Sequence, residues 1–156
     1  MLDFFRYNWQ VRDEWFAWCR ALSEEELLRP RTGGLGGILH TLFHVVDVER
    51  MWIADLTRVP VTPNRFEEFE RLERVMDLSR LARPSAEALV RRWRPELDGQ
   101  VVTGTYEDGR PYSVRLGEGL RHVIAHEIHH VGQLSVWSRE LGRVPVSASL
   151  VGRKLT

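Results

Sequence analysis

Residues 120–141, LRHVIAHEIHHVGQLSVWSREL, decide how the chain is read. They contain four of its six histidines: His122, His126, His129 and His130. The other two, His40 and His44, stand together in the earlier stretch ILHTLFHVVDVERMW. His126 and His130 are four residues apart, as are His40 and His44, and His122 and His126. On a helix that spacing puts both side chains on one face, with Cβ atoms about 5–6 Å apart. Imidazole is the commonest metal-ligand side chain, and i,i+4 pairs are how a helix presents it. A divalent metal held between two helices is the reading these spacings favour. The alternative is a set of packed core histidines whose nitrogens are hydrogen-bonded.

Outward from this stretch the chain reads as helices. Residues 3–22 form an amphipathic pattern, with Phe5, Trp9, Phe16 and Cys19 near one stripe and Val11, Trp15 and Trp18 widening it. Ser23 with Glu26 three residues later is a capping-box signature opening a short turn that ends at Pro30. A loop rich in glycine, Gly33 to Gly37, leads into a second main helix over residues 36–57 that carries His40 and His44 and stops before Pro60 and Pro63. Residues 64–80 suggest a short surface helix or lid. Pro84 and Ser85 are expected to open a third main helix that Pro95 kinks or ends. Around EDGR, with Asp108-Gly109 as the turn signal, β-branched and aromatic residues predict a hairpin. The last helix runs to about Leu141, with Gly142 ending it. Four main helices with short connections predict an all-α four-helix bundle with a small β-hairpin before the last helix. No repeat or linker divides residues 1–156, so one domain is expected.

Whole-chain properties narrow the function. At 156 residues there is room for one core. Basic and acidic side chains balance at 22 each, which provides no global field to draw in nucleic acid or an anionic membrane. Cys19 is the only cysteine, so no internal disulfide can form, and burial on the aromatic helix face suits it better than nucleophilic work. The charged N-terminal stretch does not read as a signal peptide, and no apolar run reaches spanning length. A cytoplasmic protein with no nucleic-acid or membrane partner is expected.

HVIAHEIHHVGQL resembles the closing motif of the DinB/YfiT-like family of metal-binding four-helix bundles, in which two histidines four residues apart are followed by Arg-Gly-Gln. Here His126 and His130 take the ligand positions and Gly132-Gln133 follows, with Val131 where the family often has arginine. HVVDVERMW is similar to the family's second helix, whose third ligand lies eight residues before an aromatic; His44 stands eight before Trp52. YNWQ near the start and the Gly-Arg-Pro of the hairpin are also similar. The resemblance implies a zinc or nickel site on His44, His126 and His130, and a homodimer. It also implies a reaction in which a low-molecular-weight thiol is transferred to an electrophilic small molecule.

Three neutral ligands leave positions open on the ion, as in a catalytic site. His40, Asp47, His122 and Gln133 are candidates to steady a ligand or line the cavity. His129 is expected to point into a neighbouring seam, and Glu127 lies off the ligand face. A metal-dependent hydrolase and a noncatalytic metal- or ligand-binding stress protein are the competing functions. His126 to His130 also spells the protease motif H-E-x-x-H. Its continuations fail, because glycine comes early at Gly132, position 136 is Val136, and Glu140 on the same helix is the only later acidic residue. A di-iron carboxylate site would need a glutamate three residues before His40 or His44, and none is there.

Overall fold

The computed structural model describes residues 1–105 and 109–155. Its helices are α1 (Leu2–Cys19), α2 (Glu24–Leu28), α3 (Ile38–Thr57), α4 (Leu72–Arg92) and α5 (Leu116–Glu140). Strands β1 (Val101–Thr105) and β2 (Pro111–Arg115) form an antiparallel hairpin, with Gly104 opposite Tyr112. The hairpin precedes the last main helix as expected; Asp108 of its turn signal lies outside the described residues.

Helices α1, α3, α4 and α5 make the bundle. α3 packs against α4 and α5, and α1 packs against the same two. α1 and α3 therefore occupy opposite corners. The apolar core falls into two clusters, and membership of each fixes helix direction. One cluster joins the C-terminal halves of α1 and α5 (Val11 to Cys19, Val131 to Trp137) with the N-terminal halves of α3 and α4 (Ile38 to Val46, Leu72 and Val75). The other joins the opposite halves, from Phe5 and Trp9 to Ile53, Leu56, Leu89, Leu120 and Ile124, with Val102 of the hairpin. So α1 and α5 run one way, and α3 and α4 the other.

This topology needs longer connections than the sequence suggested. Because α3 and α4 are parallel, residues 58–71 must return the full length of the bundle. They do so alongside α3: Thr62 O accepts from Arg50, Asn64 donates to Asp47, Phe66 stacks on His40, and Phe69 meets Phe43. The connection from α1 to α3 crosses the bundle diagonal through α2, which Ser23 caps by accepting from Glu26 N.

Helix boundaries moved for identifiable reasons. α1 stops at Cys19, and α3 starts at Ile38 with Gly37 as its N-cap. Pro84 does not open a helix but sits inside α4, which also absorbs residues 72–80 of the expected surface segment. Val75, Ser79, Ala86, Leu89 and Val90 continue one buried face across the proline, while Pro84 itself is exposed. Burial of that face outweighs the one hydrogen bond Pro84 cannot make. Only Phe66–Glu68 of the earlier stretch forms its own 3-10 turn. The tail, which showed no pattern in the sequence, crosses α1. Tyr7 donates to Ala148 O, Trp18 to Val144 O, and Arg153 pairs with Glu14.

Candidate metal centre

His44 projects from α3, and His126 and His130 from α5, where the two antiparallel neighbours meet. Their rings lie 4.5–4.9 Å apart, centroid to centroid. One nitrogen of each lies within 4.8 Å of the others, and His44 Nε2 is 3.0 Å from His126 Nε2. Two nitrogens bound to one ion at ~2.1 Å would stand roughly 3.0–3.4 Å apart, depending on coordination geometry. The three histidines thus make a group of the size that can hold one divalent ion.

Their protonation also suits a metal. Burial, then the neighbouring His130 and His40, pushes the pKa of His44 down to about 4. Burial followed by His130 and His44 takes His126 to about 3, and burial with His129 lowers His130. At neutral pH all three are uncharged, with lone pairs available. This fixes the sign of a pH effect on the metal-free protein. Unfolded histidine titrates near pH 6.5, so between about pH 6.5 and 4 the unfolded chain binds more protons than the folded one. Stability then falls as pH falls through that window. Urea unfolding in chelator should give a lower midpoint at pH 5 than at pH 7, and the difference should shrink in His44→Ala.

The remaining histidines frame this centre. His122 is exposed and lies against Trp52, ring centroids 4.9 Å apart, one turn from His126. His40 stacks on Phe66 at 4.3 Å and so serves the returning segment. Asp47 is buried but, among the described residues, its hydrogen bonds run to Arg50 and Asn64, not to a ligand histidine. His129, expected in a seam, is exposed, because no helix packs over that side of α5. Gln133, one turn after His130, packs against the glycine loop at Gly33 and Gly34. A Cβ on Gly34, at φ +52°, would come 2.9 Å from Gln133 Cγ, so the loop reaches α5 only where side chains are missing.

Sequence reasoning missed the polar group behind the centre. Arg12 of α1 is 1% exposed, with Glu49 of α3 and Glu127 of α5 each 2% exposed. Arg12 Nε donates to Glu127 Oε1 (2.8 Å) and Nη2 to Glu127 Oε2 (2.5 Å). Its Nη2 also reaches Glu49 Oε2 (2.8 Å), and Nη1 reaches Glu49 Oε1 and Ser79 Oγ of α4, both at 3.3 Å. Trp9 Nε1 donates to Glu49 Oε2 at 3.0 Å. Burial alone would drive the guanidinium toward neutrality, but Glu127 and Glu49 more than reverse it and hold its pKa above the usual value. Burial, reinforced by Glu49, lifts the Glu127 carboxyl above the usual carboxylate range against the pull of Arg12. The group forms a polar layer between the two apolar clusters. It also disposes of the protease motif: Glu127, which would have to act as base, faces inward and is held by Arg12.

Comparison with known proteins agrees with this architecture. The model of the DinB family matches residues 1–154. Uncharacterized protein YizA of Bacillus subtilis (strain 168) is 45% identical over 155 residues, which is 99% of this chain and 96% of that protein.

Proposed function

The chain belongs to the DinB family, and on that premise we propose that it is a divalent-metal-dependent enzyme that activates a low-molecular-weight thiol for transfer to an electrophilic small molecule. One observation carries the reading: His44, His126 and His130 converge as neutral ligands on a half-buried seam, leaving an approach from solvent. Zinc or nickel bound there would keep an uncompensated charge, and a thiol reaching its open side would lose its proton at neutral pH. The protein's own share is to hold the imidazoles neutral and to offer Trp52 and His122 as a wall beside the approach.

A hydrolase draws less support, because the nearest carboxylate in sequence, Glu127, is committed to Arg12. Ala125, Ile128, Gly132 and Val136, all exposed on α5, support the homodimer in this reading. The cytoplasm is the compartment proposed. No described helix is long and apolar enough to cross a membrane.

The test is turnover of a general electrophile by zinc- or nickel-loaded protein with a panel of small thiols, beside His44→Ala. Consumption that needs thiol, metal and His44 together is the expected result. Water-dependent turnover without thiol would favour the hydrolase. A loaded protein that turns over nothing with any thiol would leave a binding protein.

A further inference from the structure

We propose that Arg12 is a positioning residue for the metal centre: by gripping Glu49 and Glu127 at once, it sets the separation and rotation of the two helices that carry the ligands. The proposal rests on the metal-binding reading above.

The three ligands come from two separate helices, and an ion tolerates only about ±0.2 Å in its ligand distances. Something must therefore hold α3 and α5 in register. The 3.0 Å contact between His44 Nε2 and His126 Nε2 links the two helices, but it is given up once both nitrogens turn their lone pairs to an ion. The apolar clusters above and below press the helices together but are not directional. The guanidinium is directional. It is planar, and it meets Glu127 through Nε and Nη2 and Glu49 through Nη1 and Nη2, each with two parallel bonds. Glu127 follows His126 directly, so about 100° of helix rotation separates them, one facing the bundle interior and the other the α3–α5 seam. Glu49 lies five residues beyond His44 on α3. Any sliding or rolling of α5 that displaced His126 and His130 from His44 would also tear Glu127 from the fork. Ser79, the third partner of Arg12, anchors it to α4, which carries no ligand.

The experiment uses the full chain as wild type, Arg12→Lys, Glu127→Gln and, as a control outside the cluster, Arg80→Ala. Zinc affinity is measured by competition with a chromophoric chelator, at a temperature where circular dichroism shows each protein fully folded. The visible spectrum of the cobalt(II)-loaded protein reports ligand geometry. Lysine keeps the charge of Arg12 but cannot make paired bonds to two carboxylates at once. We expect Arg12→Lys and Glu127→Gln to bind zinc at least about tenfold more weakly, with altered cobalt spectra. Arg80→Ala, on the exposed face of α4, should match the wild type. Folded Arg12→Lys or Glu127→Gln with wild-type affinity and spectrum would overturn the proposal, leaving the cluster a purely structural one. If Arg12→Lys does not fold, Glu127→Gln decides by the same criterion. A wild type that binds no zinc or cobalt would instead sink the metal-binding reading itself.

Discussion

Arg12→Met should lower the stability of the metal-free protein by about 3–5 kcal/mol, because it leaves two carboxylates buried without their cation. Single domains are stable by only about 5–15 kcal/mol in total, so the variant should stand near the edge of folding. The loss comes less from attraction forgone than from the unpaired charges that remain. Glu127, whose carboxyl burial already lifts, would then take up a proton to stay buried. A carboxyl with a raised folded pKa contributes less stability as pH rises, so the defect should deepen from pH 5 to pH 8. Urea titration checks both points, provided the slope with denaturant stays unchanged. Adding Glu49→Leu and Glu127→Leu to Arg12→Met should recover most of the loss, since replacing a whole buried ion group with apolar side chains is often neutral. A single Arg12→Met that costs under about 1 kcal/mol, in the range of exposed ion pairs, would mean the cluster is open to water.

The second large effect concerns the ligands. His126→Ala should reduce bound zinc or nickel in purified protein to a small fraction of wild type, by mass spectrometry of metal content. It removes one of three imidazoles that lie against one another, the one whose Nε2 is 3.0 Å from His44 Nε2. His129→Ala, on an exposed side of the same helix, should keep its metal. The energetic counterpart is ligand-linked stability. Zinc at roughly a hundred times its dissociation constant should stabilise wild type by about 2.7 kcal/mol and His126→Ala hardly at all. Metal retained in full by His126→Ala would move the site elsewhere among the six histidines.

The histidine cluster was legible in the chain because its signal is local, whereas the choice of His44, His126 and His130 within it came from the family resemblance. Three i,i+4 histidine pairs on two helices need no knowledge of packing to be noticed. The hairpin was legible for the same reason. What the sequence hid depended on the relative direction of helices. Parallel α3 and α4 force residues 58–71 to travel the bundle's length, and only that path explains why His40 and Asp47 face Phe66 and Asn64. Pro84 misled because local propensity was outweighed by a buried face running through it.

The Arg12 cluster did leave a trace. Phe5, Trp9, Arg12, Phe16 and Cys19 follow one stripe of α1; Leu42, Val46, Glu49, Ile53 and Leu56 follow one of α3; Leu120, Ile124, Glu127, Val131 and Leu134 follow one of α5. In each, a charge stands where the period calls for an apolar residue. Three such interruptions of mixed sign are the pattern of a paired interior layer, visible only when the stripes are compared.

That layer also bears on how the chain reaches its fold. Its members come from positions 12, 49, 79 and 127, so Arg12 and Glu127 are separated by 115 residues. During synthesis from the N-terminus, α1, α3 and α4 emerge with Arg12 and Glu49 in place but without the second carboxylate. The bundle cannot close until α5 has emerged. Folding should then be a late, concerted event governed by nonlocal contacts, slower than in a bundle of sequential helix pairs. Nascent chains halted before α5 would expose half-formed apolar faces, the kind of surface that chaperones bind.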